Sequence, residues 1–123
     1  MVRFMTTRRS VPRPGAPVRG SRSGRPIMAV LDLLGRRGAL SVLVSLQHGP
    51  ATFRDLQDLA GDLSASTLNT RLKDLREVGL VGRSDAGYVL TADGNDLIEA
   101  GQPLLRWATR WAASMDGTST VDP

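Results

Sequence analysis

Apolar residues recur with helical spacing in five segments of this chain of 123 residues. The longest stripe predicts a helix that begins after Thr91 and runs to about Ser114. Pro26 suits the first turn of another helix, which ends at Gly35. Three more helices are predicted over residues 39–47, 52–60 and 64–78, because glycines, a Gly-Pro pair and Ser or Thr caps bound them. The chain is therefore predicted to be mainly helical.

Two short runs between the last two helices favour strands. Residues 80–84 and 87–91 are the strands, and Asp85 and Ala86 form the turn between them. The helices over residues 52–60 and 64–78 are joined by a tight turn at Gly61, which is typical of a helix-turn-helix. The predicted fold is mainly α with a small β-hairpin wing, which is a winged helix-turn-helix.

The helix over residues 64–78 has two faces of different chemistry. Leu68, Leu72 and Leu75 form an apolar stripe that must be buried. Short hydrogen-bonding groups and one cation lie on the opposite face, on Ser66, Asn69, Thr70 and Lys73. Such a face can read base edges, and the helix start favours phosphate because its N–H groups are free. The alternative is an ordinary solvated helix face.

Neighbouring positions offer further contacts to nucleic acid. Arg83, near the base of the hairpin, can reach a phosphate or the minor groove, or be only a solvated strand residue. Arg71 can bind the DNA backbone, or pack against the domain and pair with an acid. The candidate DNA-binding residues are Ser64, Ser66, Thr67, Asn69, Thr70, Arg71, Lys73 and Arg83.

The last helix carries an apolar stripe that is broader than a small domain needs. Trp107 and Trp111, four residues apart, supply much of the aromatic surface in a chain that is 4% aromatic. This pattern predicts packing against a partner helix. The alternative is a pocket for a small aromatic or hydrophobic effector at a dimer interface. The residues assigned to this interface or pocket are Leu31, Leu34, Leu104, Trp107, Ala108 and Trp111.

The net charge of +4 is unevenly distributed along the chain. Residues 1–26 contain seven arginines and no acid, which leaves nine basic and twelve acidic residues in the rest, a net charge of −3. Residues 1–25 mix arginine with proline, glycine and serine and are expected to be disordered. They can add salt-dependent affinity for phosphates, or be an extension without a role. The folded domain is expected over residues 26–115, and residues 116–123 are expected to be frayed.

The composition excludes several kinds of chemistry. Cysteine is absent, which excludes disulfides and thiolate metal sites. His48 is the single histidine and has no second histidine with which to share a metal, so we expect no metal and no cofactor. No paired acids, nucleophile with a base, or phosphate-cradling glycine loop is present, so we expect no catalytic residue and no enzyme. No apolar run approaches the ~20 residues that span a bilayer. We expect no membrane contact and a cytoplasmic, nucleoid-associated protein.

Several motifs in a fixed order carry a family resemblance over residues 26–114. They are Leu31-Asp-Leu-Leu-Gly35, Phe53-Arg-Asp-Leu56 after the Gly49-Pro50 turn, Ser64-x-x-Thr67-Leu68-x-x-Arg71-Leu72-x-x-Leu75, Glu77-x-Gly79-Leu80-Val81 and Tyr88-x-Leu90-Thr91-x-x-Gly94. In these motifs the chain resembles the HxlR-type branch of winged-helix transcriptional regulators, which are similar to the MarR family. The resemblance implies a dimer built by the first and last helices, with the helix over residues 64–78 in the major groove and the wing beside it.

Three departures from the family pattern limit what the resemblance implies. Arg25 stands where many relatives have a cysteine that senses oxidants or electrophiles, so thiol sensing is excluded. The segment Gly35-Arg-Arg-Gly38 lacks the tryptophan that relatives usually carry there. The wing is several residues shorter than is common in the family and has Asp85 at its tip, so weaker wing contacts are expected.

Two functions compete at this stage. The first is a homodimeric, sequence-specific regulator that binds double-stranded DNA at a pseudo-palindromic operator, with or without response to a ligand. The second is a protein-interaction or small-molecule-sensing winged-helix module without operator recognition. The acidic balance of the folded part supports the second function.

Overall fold

The computed structural model describes residues 11–18 and 22–116. These residues form five helices, α1 (Pro26–Leu34), α2 (Ala39–Leu46), α3 (Phe53–Ala60), α4 (Ala65–Glu77) and α5 (Ala92–Asp116), and two strands, β1 (Val81–Ser84) and β2 (Gly87–Leu90). The five predicted helices and the predicted hairpin are all present, and their ends lie within about two residues of the predicted ones. The mainly helical fold with a β-hairpin wing is confirmed.

The core lies between α2, α3 and α4. Its largest fully buried side chains are leucines and one valine from these three helices, namely Val42, Leu43, Leu56, Leu68, Leu72 and Leu75. α4 contributes three of them at helical spacing, as its apolar stripe predicted. Burial of one such leucine contributes about 1.5–3 kcal/mol relative to exposure, so the stripe determines which face of α4 stays in water.

The hairpin is joined to the segment before α3. β1 and β2 pair antiparallel with Val81 opposite Leu90 and Arg83 opposite Tyr88. Tyr88 also exchanges both backbone hydrogen bonds with Ala51, at 2.8 and 3.0 Å. Gly87 has a φ of +126°, and a Cβ there would lie 2.5 Å from the Ala51 carbonyl oxygen, so only glycine fits this close approach. An isolated β-bridge at Ala51 therefore holds β2 close to the turn of the wing, which the sequence did not indicate.

The start of α5 is tied to the end of α4 through Thr91. Its Oγ1 accepts a hydrogen bond from the N–H of Gly94 at 3.0 Å and donates one to the carbonyl of Gly79 at 2.6 Å. Gly94 is buried against the chain before β1, where a Cβ would lie 2.2 Å from the Leu80 carbonyl oxygen. The predicted cap is present, and it also orients α5 relative to α4.

The structure corrects the expectation of disorder for part of the N-terminal segment. Val11 is only 5% exposed and belongs to the core cluster. Arg13 forms an ion pair with Glu77 of α4, and the N–H of Gly15 donates to the carbonyl of Gly24 at 2.8 Å. An apolar side chain and one ion pair thus hold this segment on the domain. The rest of the predicted tail, residues 1–10 and 19–21, lies outside the described residues, and so do residues 117–123.

Candidate nucleic-acid interface

Helix α3 has a capping box at its amino end and a glycine at its carboxyl end. Thr52 and Asp55 form a reciprocal capping box at α3, with both backbone-to-side-chain bonds at 3.0 Å. The N–H of Thr52 bonds the Asp55 carboxylate and, together with the Thr52 side chain, holds the pKa of this carboxyl below its ordinary value. α3 ends at Gly61, whose φ of +70° lets the chain turn into α4. Local bonds therefore determine both the entry and the exit of α3.

α4 begins with a cap made by Ser64. The Ser64 hydroxyl oxygen accepts a hydrogen bond from the N–H of Thr67 at 3.0 Å and donates one to the Thr67 hydroxyl oxygen at 3.0 Å. Ser64 is exposed, and Thr67 is partly buried beneath it. The first N–H groups of a helix have no partner within it, and they carry the positive end of its dipole. This end of α4 is open to solvent and suited to a phosphate.

The exposed face of α4 has the composition that the sequence predicted. Ser66, Asn69, Thr70 and Lys73 are all exposed, whereas the leucines on the opposite face are 1% exposed or less. Three hydroxyl or amide groups and one ammonium therefore lie together on one side of a helix whose other side is buried. Their contact with DNA stays a prediction.

Arg71 does not belong to that face. Its Nε donates to the carbonyl of Arg37 at 2.7 Å, and its Nη1 donates to the Asp74 carboxylate at 2.8 Å. The Arg71 side chain is only 13% exposed. The structure therefore favours the second interpretation of Arg71, in which this residue packs against the domain and pairs with an acid, over direct contact with the DNA backbone.

Arg83 lies on the exposed side of the wing. Its guanidinium carbon is 4.9 Å from the centre of the Tyr88 ring on the paired strand, which is a cation–π contact. The side chain remains exposed. The ring orients the guanidinium of Arg83 without neutralising it, so the charge stays available to an anion.

A group of four charged side chains behind α4 was not identified from the sequence. Asp32 of α1, Arg36 of the following loop, and Arg71 and Asp74 of α4 form what we call the ionic cluster, which is largely shielded from solvent. Two of its pairs were visible as spacings, Asp32 to Arg36 at i,i+4 and Arg71 to Asp74 at i,i+3. The link between the two pairs depends on the packing of distant elements.

The second half of α5 exposes large apolar side chains. Leu104 is 60% exposed, Trp107 47% and Trp111 53%, and Ala108 between them is exposed as well. The two indole rings stack, with centres 5.5 Å apart and planes 9° apart. On α1, Ile27 and Leu31 are 57% and 50% exposed. We call Ile27, Leu31, Leu104, Trp107 and Trp111 the apolar surface.

A cleft of about 220 Å³ separates α2 from α5. Leu34 and Leu104 line this cleft, whereas the four other residues assigned to an interface or pocket, Leu31, Trp107, Ala108 and Trp111, do not. Its remaining lining is apolar except for two amides, and comprises Leu40, Leu43, Val44, Gln47, Leu97, Ile98, Gly101, Gln102 and Leu105. The spacing of apolar residues in α2 predicted a helix but did not indicate this cleft, because its lining comes from elements that are distant in the sequence.

Residues 11–18 and 22–116 lack two kinds of feature. No helix of that part is long and apolar enough to cross a bilayer. No three His, Asp or Glu side chains of the same part lie close enough to hold a metal ion.

A capped helix pair with a polar face on its second helix, followed by a hairpin, defines a winged helix-turn-helix protein. Residues 33–116 match the HxlR-like helix-turn-helix family, and the chain belongs to this family. An HTH-type transcriptional regulator of Methanocaldococcus jannaschii is 26% identical over 88 residues, which cover 68% of this chain and 83% of that protein.

Solved structures agree with this assignment. The quinone-bound YodB of B. subtilis is 28% identical and superposes with a TM-score of 0.65 over 68% of this chain and 96% of that one. A possible HxlR family transcriptional factor of Thermoplasma volcanium is 30% identical, with a TM-score of 0.59 over 68% of this chain and 81% of that one. The chain is a DNA-binding transcriptional regulator of the HxlR-like helix-turn-helix family.

Proposed function

We propose that the protein binds a pseudo-palindromic operator as a homodimer, with α4 of each subunit in the major groove. The observation that carries the proposal is the exposed polar face of α4, beside a helix start that is open to solvent. A helix of this width fits the major groove, where each base pair presents a distinct pattern of donors and acceptors. The opposite face of α4 is buried in the core, so the polar face has a defined orientation.

The apolar surface supports a homodimer. Large apolar side chains in water are unfavourable by about 25 cal/mol for each Å² that a partner could cover. In a two-fold dimer the same residues of both subunits meet, and a dimer that places its two α4 helices in successive major grooves would hold them about 34 Å apart, one turn of the DNA helix. The apolar surface lies on α1 and α5 rather than on α4, so dimerisation leaves the DNA-binding face free.

The exposed groups of α4 would have different roles on DNA. Asn69 is the best candidate for a base contact, because a carboxamide can bond both N6 and N7 of adenine. Ser66 and Thr70 would bond bases or phosphates, and Lys73 would bind a phosphate. Ser64 and Thr67 would shape the helix start beside the DNA backbone, and Arg83 of the wing would contact a phosphate. Arg71 would act from behind by holding α4 in place.

Selection of bound sequences from a random double-stranded pool tests the proposal. The wild type should enrich a two-fold symmetric sequence. Asn69→Ala should lose about 1–3 kcal/mol of discrimination at one base pair of each half-site, while Lys73→Ala should weaken all sequences together. Asn95→Ala, at an exposed position near the start of α5, is the matched control and should behave as wild type. Enrichment of the same sequence by wild type and Asn69→Ala would refute the role of α4.

Binding to DNA through the arginines of the N-terminal segment alone is the competing outcome. Removal of residues 1–25 would also remove Val11 from the core, so substitution is the cleaner test. Arg3→Gln, Arg8→Gln and Arg9→Gln together lower the charge of the full chain. Loss of all binding in this variant would favour an interaction module over an operator-specific regulator. Retained sequence preference with a weaker dependence on salt would favour the regulator.

We also propose that the cleft between α2 and α5 binds a small aromatic or hydrophobic effector. The cleft is apolar, has about the volume of a small ring compound, and adjoins the apolar surface at Leu104. The similar protein YodB is described with a bound quinone. Gly101 lines the cleft, and a Cβ there would meet nothing within 4 Å, so Gly101→Val should narrow the cleft. Thermal stabilisation by an effector in the wild type should be absent in this variant, while its operator binding is unchanged.

A further inference from the structure

We infer that the ionic cluster positions α4 relative to α1 and so sets the half-site spacing that the dimer accepts. The inference rests on the proposed function, because it concerns the same α4 and the same dimer. α1 carries part of the apolar surface, whereas α4 carries the DNA-binding face. A connection between these two helices therefore determines where each DNA-binding face lies relative to the two-fold axis.

Arg36 makes this connection. Its guanidinium lies with Nη2 3.6 Å from an Asp32 carboxylate oxygen and with Nη1 4.0 Å from an Asp74 carboxylate oxygen. Asp32 belongs to α1 and its side chain is 2% exposed, while Asp74 belongs to α4 and its side chain is 17% exposed. The guanidinium of Arg36, whose side chain is 11% exposed, thus lies between an acid of α1 and an acid of α4.

Arg71 completes the connection on the side of α4. It bonds Asp74 within α4 and the carbonyl of Arg37, which directly follows Arg36. Two adjacent residues of the loop after α1 therefore contact α4, Arg36 through its side chain and Arg37 through its backbone carbonyl. A guanidinium is planar and donates in fixed directions, so two such bonds restrain rotation and sliding of α4.

The ionic cluster adds a directional restraint to the apolar packing of α4. Buried leucines determine which face of α4 is covered. A shielded ion pair in addition has few geometries in which both charges keep their partners. Replacing such pairs with neutral groups often leaves stability unchanged, and their best-attested value is the choice of one geometry. The ionic cluster is therefore suited to selecting the position of α4 more than to stabilising the fold.

Operators that differ only in spacing test this role. Their two half-sites are separated by spacers that increase by one base pair at a time, and binding is measured by gel shift at one salt concentration. Asp32→Asn with Arg36→Gln is the main variant, because it removes the Arg36 link between α1 and α4 and leaves Asp74 paired with Arg71. Arg37→Gln is the matched control: it removes an exposed cation from the same loop and keeps the carbonyl that accepts from Arg71.

The wild type and Arg37→Gln should prefer one spacing. The double variant should recognise the same half-site sequence but lose about tenfold of its discrimination between spacings, which lies within the range of coupling between contacting residues. Unchanged discrimination in a folded double variant would overturn the inference. Equal binding of all spacings by the wild type would instead refute the paired half-sites of the proposed function.

A distance measurement needs no DNA and covers a variant that is too unstable for gel shifts. The chain contains no cysteine, so Arg76→Cys, at an exposed position of α4, places one spin label on each subunit. The distribution of distances between the two labels should be narrow with the intact cluster and broader with Asp32→Asn alone. Identical distributions in these two folded dimers would also overturn the inference.

Discussion

Helices α4 and α5 each leave one face in water, and the two faces have opposite chemistry. α4 exposes hydroxyl, amide and ammonium groups, which water solvates well. α5 exposes two stacked tryptophans and several leucines, which water solvates poorly. A polar face is stable in water between contacts with a transient partner such as DNA, whereas an apolar face favours a permanent partner that removes it from water. The difference is consistent with our proposal that DNA binding and self-association use separate helices.

The two helices also differ in how the domain holds them. α4 is held along its length by three buried leucines and by the ionic cluster. α5 is held mainly near its start, where Thr91 caps it, Gly94 is buried, and Leu97 and Ile98 pack on the core. A helix bound over its whole length presents its exposed groups in one orientation. A helix bound at one end can extend toward a second subunit.

The largest expected effect concerns the two exposed tryptophans of α5. Trp107→Ser with Trp111→Ser should weaken dimerisation by about 2 kcal/mol or more for each ring, because interface tryptophans contribute most of the binding free energy. Sedimentation equilibrium measures the dissociation constant. Arg106→Ser, on the opposite side of α5, is the control and should leave it unchanged. A double variant that dimerises as tightly as wild type would show that the rings serve another purpose.

The second prediction compares one leucine from each helix. Leu72→Ala, in the core, should lower the free energy of unfolding by about 2–5 kcal/mol because it leaves a cavity. Leu105→Ala, at a position 42% exposed, should lower it by less than about 1 kcal/mol at low protein concentration. Urea denaturation followed by circular dichroism measures both. Equal losses would mean that α5 packs more closely on its own subunit than its exposure indicates.

The third prediction compares the caps at which the two helices begin. Ser64→Ala should lower the free energy of unfolding by about 1 kcal/mol, the usual effect of losing an N-cap. Thr91→Ala should lower it by about 2 kcal/mol, because the Thr91 hydroxyl also donates to the carbonyl of Gly79. Thr91→Ser keeps both bonds and should recover most of the loss. If Ser64→Ala proved the more damaging in urea denaturation, the tie between α4 and α5 would be unimportant.

The smallest expected effect concerns α3, whose cap leads into α4. The bonds from Thr52 hold the pKa of Asp55 below its ordinary value of 3.8. Because the folded pKa is the lower one, the stabilisation is present above pH 3.8 and is lost as the pH falls through the folded pKa. Thr52→Ala should return the pKa of Asp55 toward 3.8, which carbon NMR of its carboxyl group can follow. An unchanged pKa in this variant would mean that the capping box does not persist in solution.

Much of the face that we propose to bind DNA could be predicted from the sequence. The leucine stripe of α4 determines which side is buried, and Ser66, Asn69, Thr70 and Lys73 follow on the other side from helix geometry. The caps at Thr52, Ser64 and Thr91 were also predicted correctly, because each bond joins residues three positions apart. Patterns of this kind are local, so neighbouring residues are enough to read them.

Other features depended on contacts between distant parts of the chain. Arg71 had two interpretations, and the loop after α1, 34 residues earlier, decided between them by accepting its hydrogen bond. Val11 belongs to a segment with the composition of a disordered tail, yet a place in the core holds it. The cleft between α2 and α5 combines side chains of α1 and α2 with side chains of α5, which lies far from both in the sequence.

The sequence by itself determined the helices, their caps, the wing and the polar face of α4, because spacing and capping act within about four residues. Only the tertiary structure decided that Asp32, Arg36, Arg71 and Asp74 form one cluster and that the wing is joined to Ala51. The physical reason is that charge pairing and strand pairing need two elements to meet. Where they meet depends on how the whole core packs.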